Sequence, residues 1–410
     1  DTGVFLLIDL LYLLILPLLL FSTIVSRLRG HPPYKGIMGR IGLGDSLPEG
    51  TKRILIHAVS VGEVNAIRDL VETLSKDGYQ LVISVTTDTG IARAAVLFGD
   101  AHHVVRYPLD FSWSVKKFLS RINPSIIVLV ELEVWPNLLR VAERRTIPVV
   151  VVNGRLSDRS YKRYKIVSCF LRNTFGRLSI VGMQNEPYAK KVSSLGATNV
   201  QVLGTMKWDN AIIRDSVPES KELATNLGID LQKPLIVAGS TTPEEHVLLR
   251  NSVPDDVQLL VAPRRPEWFE SAEEVLAPCN RRTKATRTNT RFFVLDTIGE
   301  LTAAYSLATI VVIGRSFSPL HGSDPTEPIG LGKPTIIGPN FGDFSDIVHA
   351  FLEGKGMIQC TGATLKNEIT KVLEDDAMRE SLAENGRKII ASNQGATQRY
   401  VKLIEEALSS

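Results

Sequence analysis

One carboxylate stands where a strand hands over to a helix, in His57-Ala58-Val59-Ser60-Val61-Gly62-Glu63-Val64. The apolar run Ile54-Leu55-Ile56 precedes it and reads as a buried strand. Val64, Ile67, Leu70, Val71 and Leu74 follow at helical spacing. Ligands of open α/β sheets bind beyond the carboxyl ends of the strands, and a carboxylate within hydrogen-bond reach can take a hydroxyl proton. Glu63 is therefore a candidate general base. Ser60-Val61-Gly62-Glu63 also fits the S-x-x-E capping box, with Ser60 as N-cap and Glu63 as N3. The two roles are compatible.

Other polar stretches follow apolar runs in the same way. Glu131-Leu132-Glu133-Val134-Trp135-Pro136 ends the run 126–130, and its two carboxylates share a face if the backbone is extended. Such a pair can raise each other's pKa or share a proton; strand-end solvation is the plainer role. Asn153-Gly154-Arg155-Leu156-Ser157-Asp158-Arg159-Ser160 offers an amide, guanidinium groups and hydroxyls, suited to a carboxylate or phosphate or to a helix cap. Gly204-Thr205-Met206-Lys207-Trp208-Asp209 brings a lysine to what reads as a domain boundary. Gly239-Ser240-Thr241-Thr242-Pro243-Glu244-Glu245 puts glycine and hydroxyls before a helix start, where free backbone N–H groups can hold an anion. Ala262-Pro263-Arg264-Arg265-Pro266 and Asp296-Thr297-Ile298-Gly299-Glu300-Leu301 follow two further apolar runs. In His321-Gly322-Ser323-Asp324-Pro325-Thr326-Glu327-Pro328, Asp324 suits an N-cap, Pro325 N1 and Glu327 N3, and Pro328 at N4 predicts a distorted start. A ribose-binding carboxylate is the functional reading of that stretch.

These loops need a frame. Strands are expected at 54–57, 81–85, 104–107, 126–130, 149–152, 180–183 and 200–203, then at 235–238, 258–261, 292–295, 310–313 and 335–337. Amphipathic stretches lie between them, as at 66–75, 91–98 and 113–121. Short, wholly apolar strands alternating with helices predict parallel sheets covered on both faces. The pattern lapses at 204–218. The expected architecture is α/β, two doubly wound Rossmann-like domains facing a cleft. The expected boundaries are an anchor at 1–30, linkers at 31–50 and 210–217, domains at 51–209 and 218–395, and a final helix at 396–410 that packs on the first domain. Neither G-x-G-x-x-G after the first strand nor G-x-x-x-x-G-K-[ST] is present, so dinucleotide oxidoreductases and P-loop enzymes lack their phosphate cradles.

Residues 4–25 are almost wholly apolar, and Arg27, Arg29, Lys35 and Arg40 follow. Roughly 20 such residues cross a bilayer core, and the basic flank places the rest of the chain in the cytoplasm. Asp9 is the anomaly, and a segment lying in the membrane surface is the other reading. The basic run Arg281–Arg287 reads as a solvated loop, or as a contact for anionic lipid. A formal charge of +3 on 410 residues gives no argument for nucleic acid. Three dispersed cysteines predict no disulfide framework, and the seven histidines show no metal-ligand pairing.

Taken together, these motifs resemble the lipopolysaccharide Kdo transferases (3-deoxy-D-manno-octulosonic acid transferases). The likeness spans nearly the whole chain. Besides the stretches above, it includes Met183–Glu186, the residues Glu267, Trp268 and Phe269, and Asn393–Gly395. It implies the GT-B fold and inverting, metal-independent transfer of Kdo from CMP-Kdo to a lipid A precursor at the cytoplasmic face of the inner membrane. By the same resemblance, the general base falls on Glu63 and the transition-state stabilisers on Glu131 and Lys207. The CMP contacts fall on Pro263, Arg264, Ile298, Gly299, Glu300, Asp324, Pro325, Thr326 and Glu327. The implied partners are the donor, the lipid acceptor and membrane lipids, with no cofactor. The family usually reads Gly-Gly-His-Asn-Pro-Leu-Glu where this chain has His321–Glu327, so Ser323 replaces a histidine and Asp324 an asparagine. The alternatives are a nucleotide-sugar epimerase or hydrolase on the same scaffold, and a non-catalytic membrane protein that binds nucleotide sugars.

Overall fold

In a computed structural model of the chain, residues 9, 10, 12, 13, 37–44, 47, 52–284 and 288–409 are described. The chain divides into two compact units, one of residues up to 210 with 395–410 and one of 211–394.

The first unit is built on seven strands: β1 (Arg53–Ala58), β2 (Gln80–Val85), β3 (His103–Arg106), β4 (Ile126–Val130), β5 (Val149–Gly154), β6 (Ile180–Met183) and β7 (Val200–Val202). They form one sheet in the order β3-β2-β1-β4-β5-β6-β7, and every pairing is parallel. Side chains alternate across a strand, and the cores follow that alternation. Leu55, Ile127, Leu129, Val149 and Val151 pack on one face. Ile54, Ile56, Ile126, Val128, Val150 and Val152 pack on the other. The last helix, Ala396–Ser409, adds Tyr400, Val401, Leu403 and Ile404 to the second face. Asp209 accepts the Gly395 and Thr397 N–H groups at 2.6 Å each and so caps the start of that helix.

The second unit repeats the plan with β8 (Leu235–Thr241), β9 (Gln258–Pro263), β10 (Asn280–Arg281), β11 (Phe292–Val294), β12 (Ile310–Ile313), β13 (Thr335–Ile337) and β14 (Ile358–Gln359). The order is β10-β11-β9-β8-β12-β13-β14. β1 and β8 each sit where the strand order reverses, the crevice in which α/β sheets bind ligands.

The two-residue strands β10 and β14 were not expected, being too short to leave an apolar run. β10 also corrects the reading of Arg281–Arg287. Arg281 pairs with Glu270 at 2.6 Å, Glu273 at 2.8 Å and Asp296; Arg282 pairs with Glu300 at 3.0 Å, and Lys284 with Glu273 at 2.5 Å. This described part of the run is neutralised within the unit; residues 285–287 lie outside the described residues.

Among the described residues, no helix is long and apolar enough to cross a membrane. The expected anchor lies outside them except for Asp9, Leu10, Tyr12 and Leu13. Asp9 has protein partners: its carboxylate accepts the Ser112 N–H at 3.0 Å, the Ser112 hydroxyl at 2.6 Å and the Asn137 amide at 3.0 Å. Tyr12 donates to Asp110 at 3.2 Å.

Candidate active site

Glu63 lies in the helix Val61–Ala66, which starts as β1 ends. Ser60 is the N-cap, as expected, and its hydroxyl accepts the Glu63 N–H at 3.4 Å. The carboxylate reaches back. Oε2 accepts the Val59 N–H at 2.8 Å, and Oε1 accepts the Ser60 hydroxyl at 3.0 Å. Each carboxylate oxygen keeps a further lone pair. Glu63 is only 7% exposed. Burial first, then the nearby Glu131 and Glu133 charges, push its carboxyl up to about 7 against the opposing pull of those two hydrogen bonds. A carboxyl in that range can exchange a proton near neutral pH. His57 on β1 offers no such exchange: it is fully buried, 4.0 Å from the Tyr107 ring, and burial pulls it down to about 3.

Glu131 and Glu133 do not share an extended face, contrary to expectation. β4 ends at Val130, and Glu131 turns into the left-handed region at φ 57. Its N–H still bonds the Val152 carbonyl at 2.9 Å, so the strand pairing is completed as the chain bends. The bend buries Leu132 in the core. The two carboxylates stay close enough that Glu131, after burial, raises Glu133. With Arg155, Leu156, Ser157, Ser160 and Tyr164 they line a cavity of about 300 Å³ at the ends of β4 and β5. Arg155, Ser157 and Ser160 belong to the polar stretch 153–160, and Tyr164 lies beyond it. The spacing was available, because residues 160 and 164 are neighbours on one helical face.

Asn153, the residue before Gly154 at the end of β5, is fully buried at φ 54. Its Oδ1 accepts the Met206 N–H at 3.1 Å, and its carbonyl accepts the Gln184 amide at 3.0 Å. Buried Met206 and Trp208 flank half-buried Lys207 in the short turn Met206–Trp208. Glu131 and Glu133 share one cavity that Glu63 does not line, and the Lys207 turn is tied to the end of β5 through Asn153.

The remaining residues lie at strand ends of the second unit. Pro263 ends β9, and the Arg264 N–H bonds the Thr241 carbonyl at 3.0 Å while its side chain is exposed. Ile298 is exposed and Gly299 sits at φ 99 in an open turn. Glu300 accepts Arg282 at 3.0 Å and the Thr297 hydroxyl. Thr302, two residues on, donates to Glu327, which joins this loop to the one after β12. Asp324 turns its carboxylate onto Thr326, accepting the N–H at 2.9 Å and the hydroxyl at 2.7 Å. The helix here is Thr326–Gly330, one residue later than expected, with Pro325 at the cap. Pro328 is then the third helical residue, whose N–H would have no intrahelical partner anyway, so the expected distortion has no cause. Among the described residues, no three His, Cys, Asp or Glu side chains are grouped to hold a metal ion.

A family model described as 3-Deoxy-D-manno-octulosonic-acid transferase (kdotransferase) matches residues 35–210. A relative from Haemophilus influenzae named 3-deoxy-D-manno-octulosonic acid transferase is 30% identical over 379 residues, 88% of this chain and 88% of its own. One of the same name from Bordetella pertussis is 29% identical over 378 residues, 87% of each chain. Among solved structures, a glycosyltransferase from Rickettsia africae ESF-5 shares the fold at TM-score 0.60 and 12% identity, covering 88% of this chain and 99% of that one. Anabaena HepE in complex with UDP does so at TM-score 0.57 and 13% identity, covering 87% and 100%. With two parallel Rossmann-like sheets and a relative this similar over most of both lengths, the chain belongs to the 3-deoxy-D-manno-octulosonic acid transferase family.

Proposed function

We propose that this chain is an inverting glycosyltransferase that moves Kdo from CMP-Kdo to a lipid A precursor in lipopolysaccharide biosynthesis. The observation that carries the reading is the Glu63 carboxylate, buried just past the carboxyl end of the central strand β1, in a chain of this family. In the proposed step the acceptor hydroxyl gives its proton to Glu63 as its oxygen attacks the anomeric carbon of Kdo. The bond from that carbon to the CMP phosphate breaks, and CMP leaves with the electron pair. A single displacement inverts the anomeric centre. Glu131 and Lys207 stabilise the transition state. Pro263, Arg264, Ile298, Gly299, Glu300 and Asp324 to Glu327 hold the nucleotide. Charge assistance from a lysine or arginine suits the phosphate that gains charge as it departs.

The acceptor is a lipid, and residues 4–25 with their basic flank are proposed to hold the chain to the cytoplasmic face of the inner membrane. Asp9, the acidic residue of that stretch, bonds Ser112 and Asn137, which spares a carboxylate the cost of lying in lipid.

Full-length protein given CMP-Kdo and a tetraacylated lipid A precursor is expected to release CMP and to add the mass of one or more Kdo residues to the lipid. CMP release at the same rate without lipid would contradict transfer and favour the hydrolase or epimerase reading. CMP binding with no turnover would favour a non-catalytic protein.

A further inference from the structure

Glu245 belongs to a stretch whose glycine and hydroxyl residues drew attention in the sequence, but its own role was unassigned. Its side chain is 2% exposed. Oε2 accepts the Thr242 N–H at 3.0 Å, completing the helix start at Pro243–Ser252. The same carboxylate reaches a second loop, 70 and more residues away in sequence. Oε2 accepts the Arg315 N–H at 2.9 Å, and Oε1 accepts the Phe317 N–H at 3.0 Å. A carboxylate serving only its own helix would leave those two donors to others.

The place is the crevice of the second sheet. β8 pairs with β9 on one side and β12 on the other, so the loops leaving β8 and β12 diverge here. Their backbones touch closely: a Cβ on Gly314 would lie 2.6 Å from the Ser240 carbonyl carbon. Glu245 fastens the base of the loop 314–325 at this point. The loop is also closed on itself, with the Gly322 N–H on the Arg315 carbonyl at 2.9 Å. Ser316 holds the other side: its hydroxyl accepts the Gly338 N–H at 2.8 Å, and its carbonyl accepts the Asn340 N–H at 2.9 Å.

What the loop carries points to a ligand. Ser318 and Ser323 are buried, and their hydroxyls have no hydrogen-bond partner among the described residues. Buried hydroxyls without partners are costly and rare. The loop then runs into Asp324–Glu327.

We propose that Glu245 is a positioning residue of the donor site, holding the loop 314–325 so that Ser318, Ser323 and the residues to Glu327 meet the nucleotide sugar. This rests on the reading that the second unit binds CMP-Kdo. Glutamine at 245 keeps the shape but has one acceptor oxygen, so at least one of the three bound N–H groups faces an amide NH₂. A site residue displaced by about 1 Å can cost on the order of 10²-fold.

The test compares full-length wild type, Glu245→Gln and Val372→Ala. Val372 is a buried core residue of the helix Leu365–Glu374, and its substitution sets the effect of lost stability alone. CMP affinity is read by calorimetry, donor and acceptor KM by initial rates, and Tm by thermal unfolding. Glu245→Gln is expected to raise the CMP Kd and the donor KM about tenfold or more, with acceptor KM within about twofold. Val372→Ala is expected to lower Tm and leave donor KM unchanged. The inference is overturned if folded Glu245→Gln keeps wild-type CMP affinity, or if Val372→Ala weakens CMP to the same degree. Should Glu245→Gln fail to fold, Glu245→Asp, shorter but still charged, is read by the same criteria. If wild type binds CMP without transferring Kdo, the transfer reading falls while the calorimetric comparison still decides the role of Glu245. If wild type binds no CMP, both fall.

Discussion

Glu63→Gln lowers kcat for Kdo transfer by about 10²- to 10⁴-fold, the usual worth of a positioned general base. The substitution keeps volume and shape and removes the proton acceptor. The Val59 N–H can still bond the amide oxygen, and the Ser60 hydroxyl can rotate to follow its new partner, so folding should lose only about 1 kcal/mol. Donor KM should be unchanged, since the proposed donor contacts lie in the second unit. Ser60→Ala is the informative companion. It removes the N-cap, at a cost of about 1 kcal/mol, and leaves the Glu63 carboxylate bonded to Val59. If Glu63 were only the second half of a capping box, the two variants would lose similar stability and keep similar kcat. Under the catalytic reading they separate on turnover: the two lose similar stability, and kcat falls far more in Glu63→Gln.

Tyr400→Ala is expected to cost the first unit about 3–5 kcal/mol, the range for large-to-small changes of buried aromatic residues. Tyr400 is fully buried in the core shared by the last helix and the first sheet. It packs so tightly over β6 that a Cβ on Gly182 would meet its ring at 2.6 Å. Its hydroxyl donates to the Gly204 carbonyl at 2.8 Å, in the segment that leads to Lys207. Urea unfolding of full-length protein reads the loss. Tyr400→Phe separates the two contributions, giving up the hydroxyl for about 1 kcal/mol while retaining the ring. A Tyr400→Ala midpoint within experimental error of wild type would contradict this packing.

The frame was legible because a parallel sheet covered on both faces writes itself as short, wholly apolar runs. Ile126–Val130 is such a run, and β4 spans those same residues. Ser60 as the N-cap was legible because a cap is local; the expected capping box is not completed, since the Glu63 carboxylate takes the Val59 N–H and the Ser60 hydroxyl in place of the Ser60 N–H. Features set by distant partners left no such trace. Glu131 turns left-handed because its N–H completes a pairing with Val152 while Leu132 goes into the core, and strand alternation says nothing of that. Arg281 sits in a run of basic residues, and only folding reveals Glu270, Glu273 and Asp296 around it. Asp9 looked misplaced among leucines until Ser112 and Asn137 supplied its donors. Glu245 closes a capping box with Thr242, but its bonds to Arg315 and Phe317 cross 70 residues of sequence or more. The candidate loops were readable as strand-end loops from their positions after apolar runs, whereas the hydrogen bonds that fix their shapes were not.

The pH dependence of kcat/KM for Kdo transfer tests the central claim most directly, because it reports the base in the free enzyme. Glu63 accepts a proton only when ionised, and burial holds its carboxyl up to about 7. Activity should therefore rise about tenfold per pH unit below 7 and level off above about 8, with that rise absent from the residual activity of Glu63→Gln. A wild-type profile that is flat from about pH 5.5 to 8.5, or a rise that persists unchanged in Glu63→Gln, would contradict Glu63 as the base.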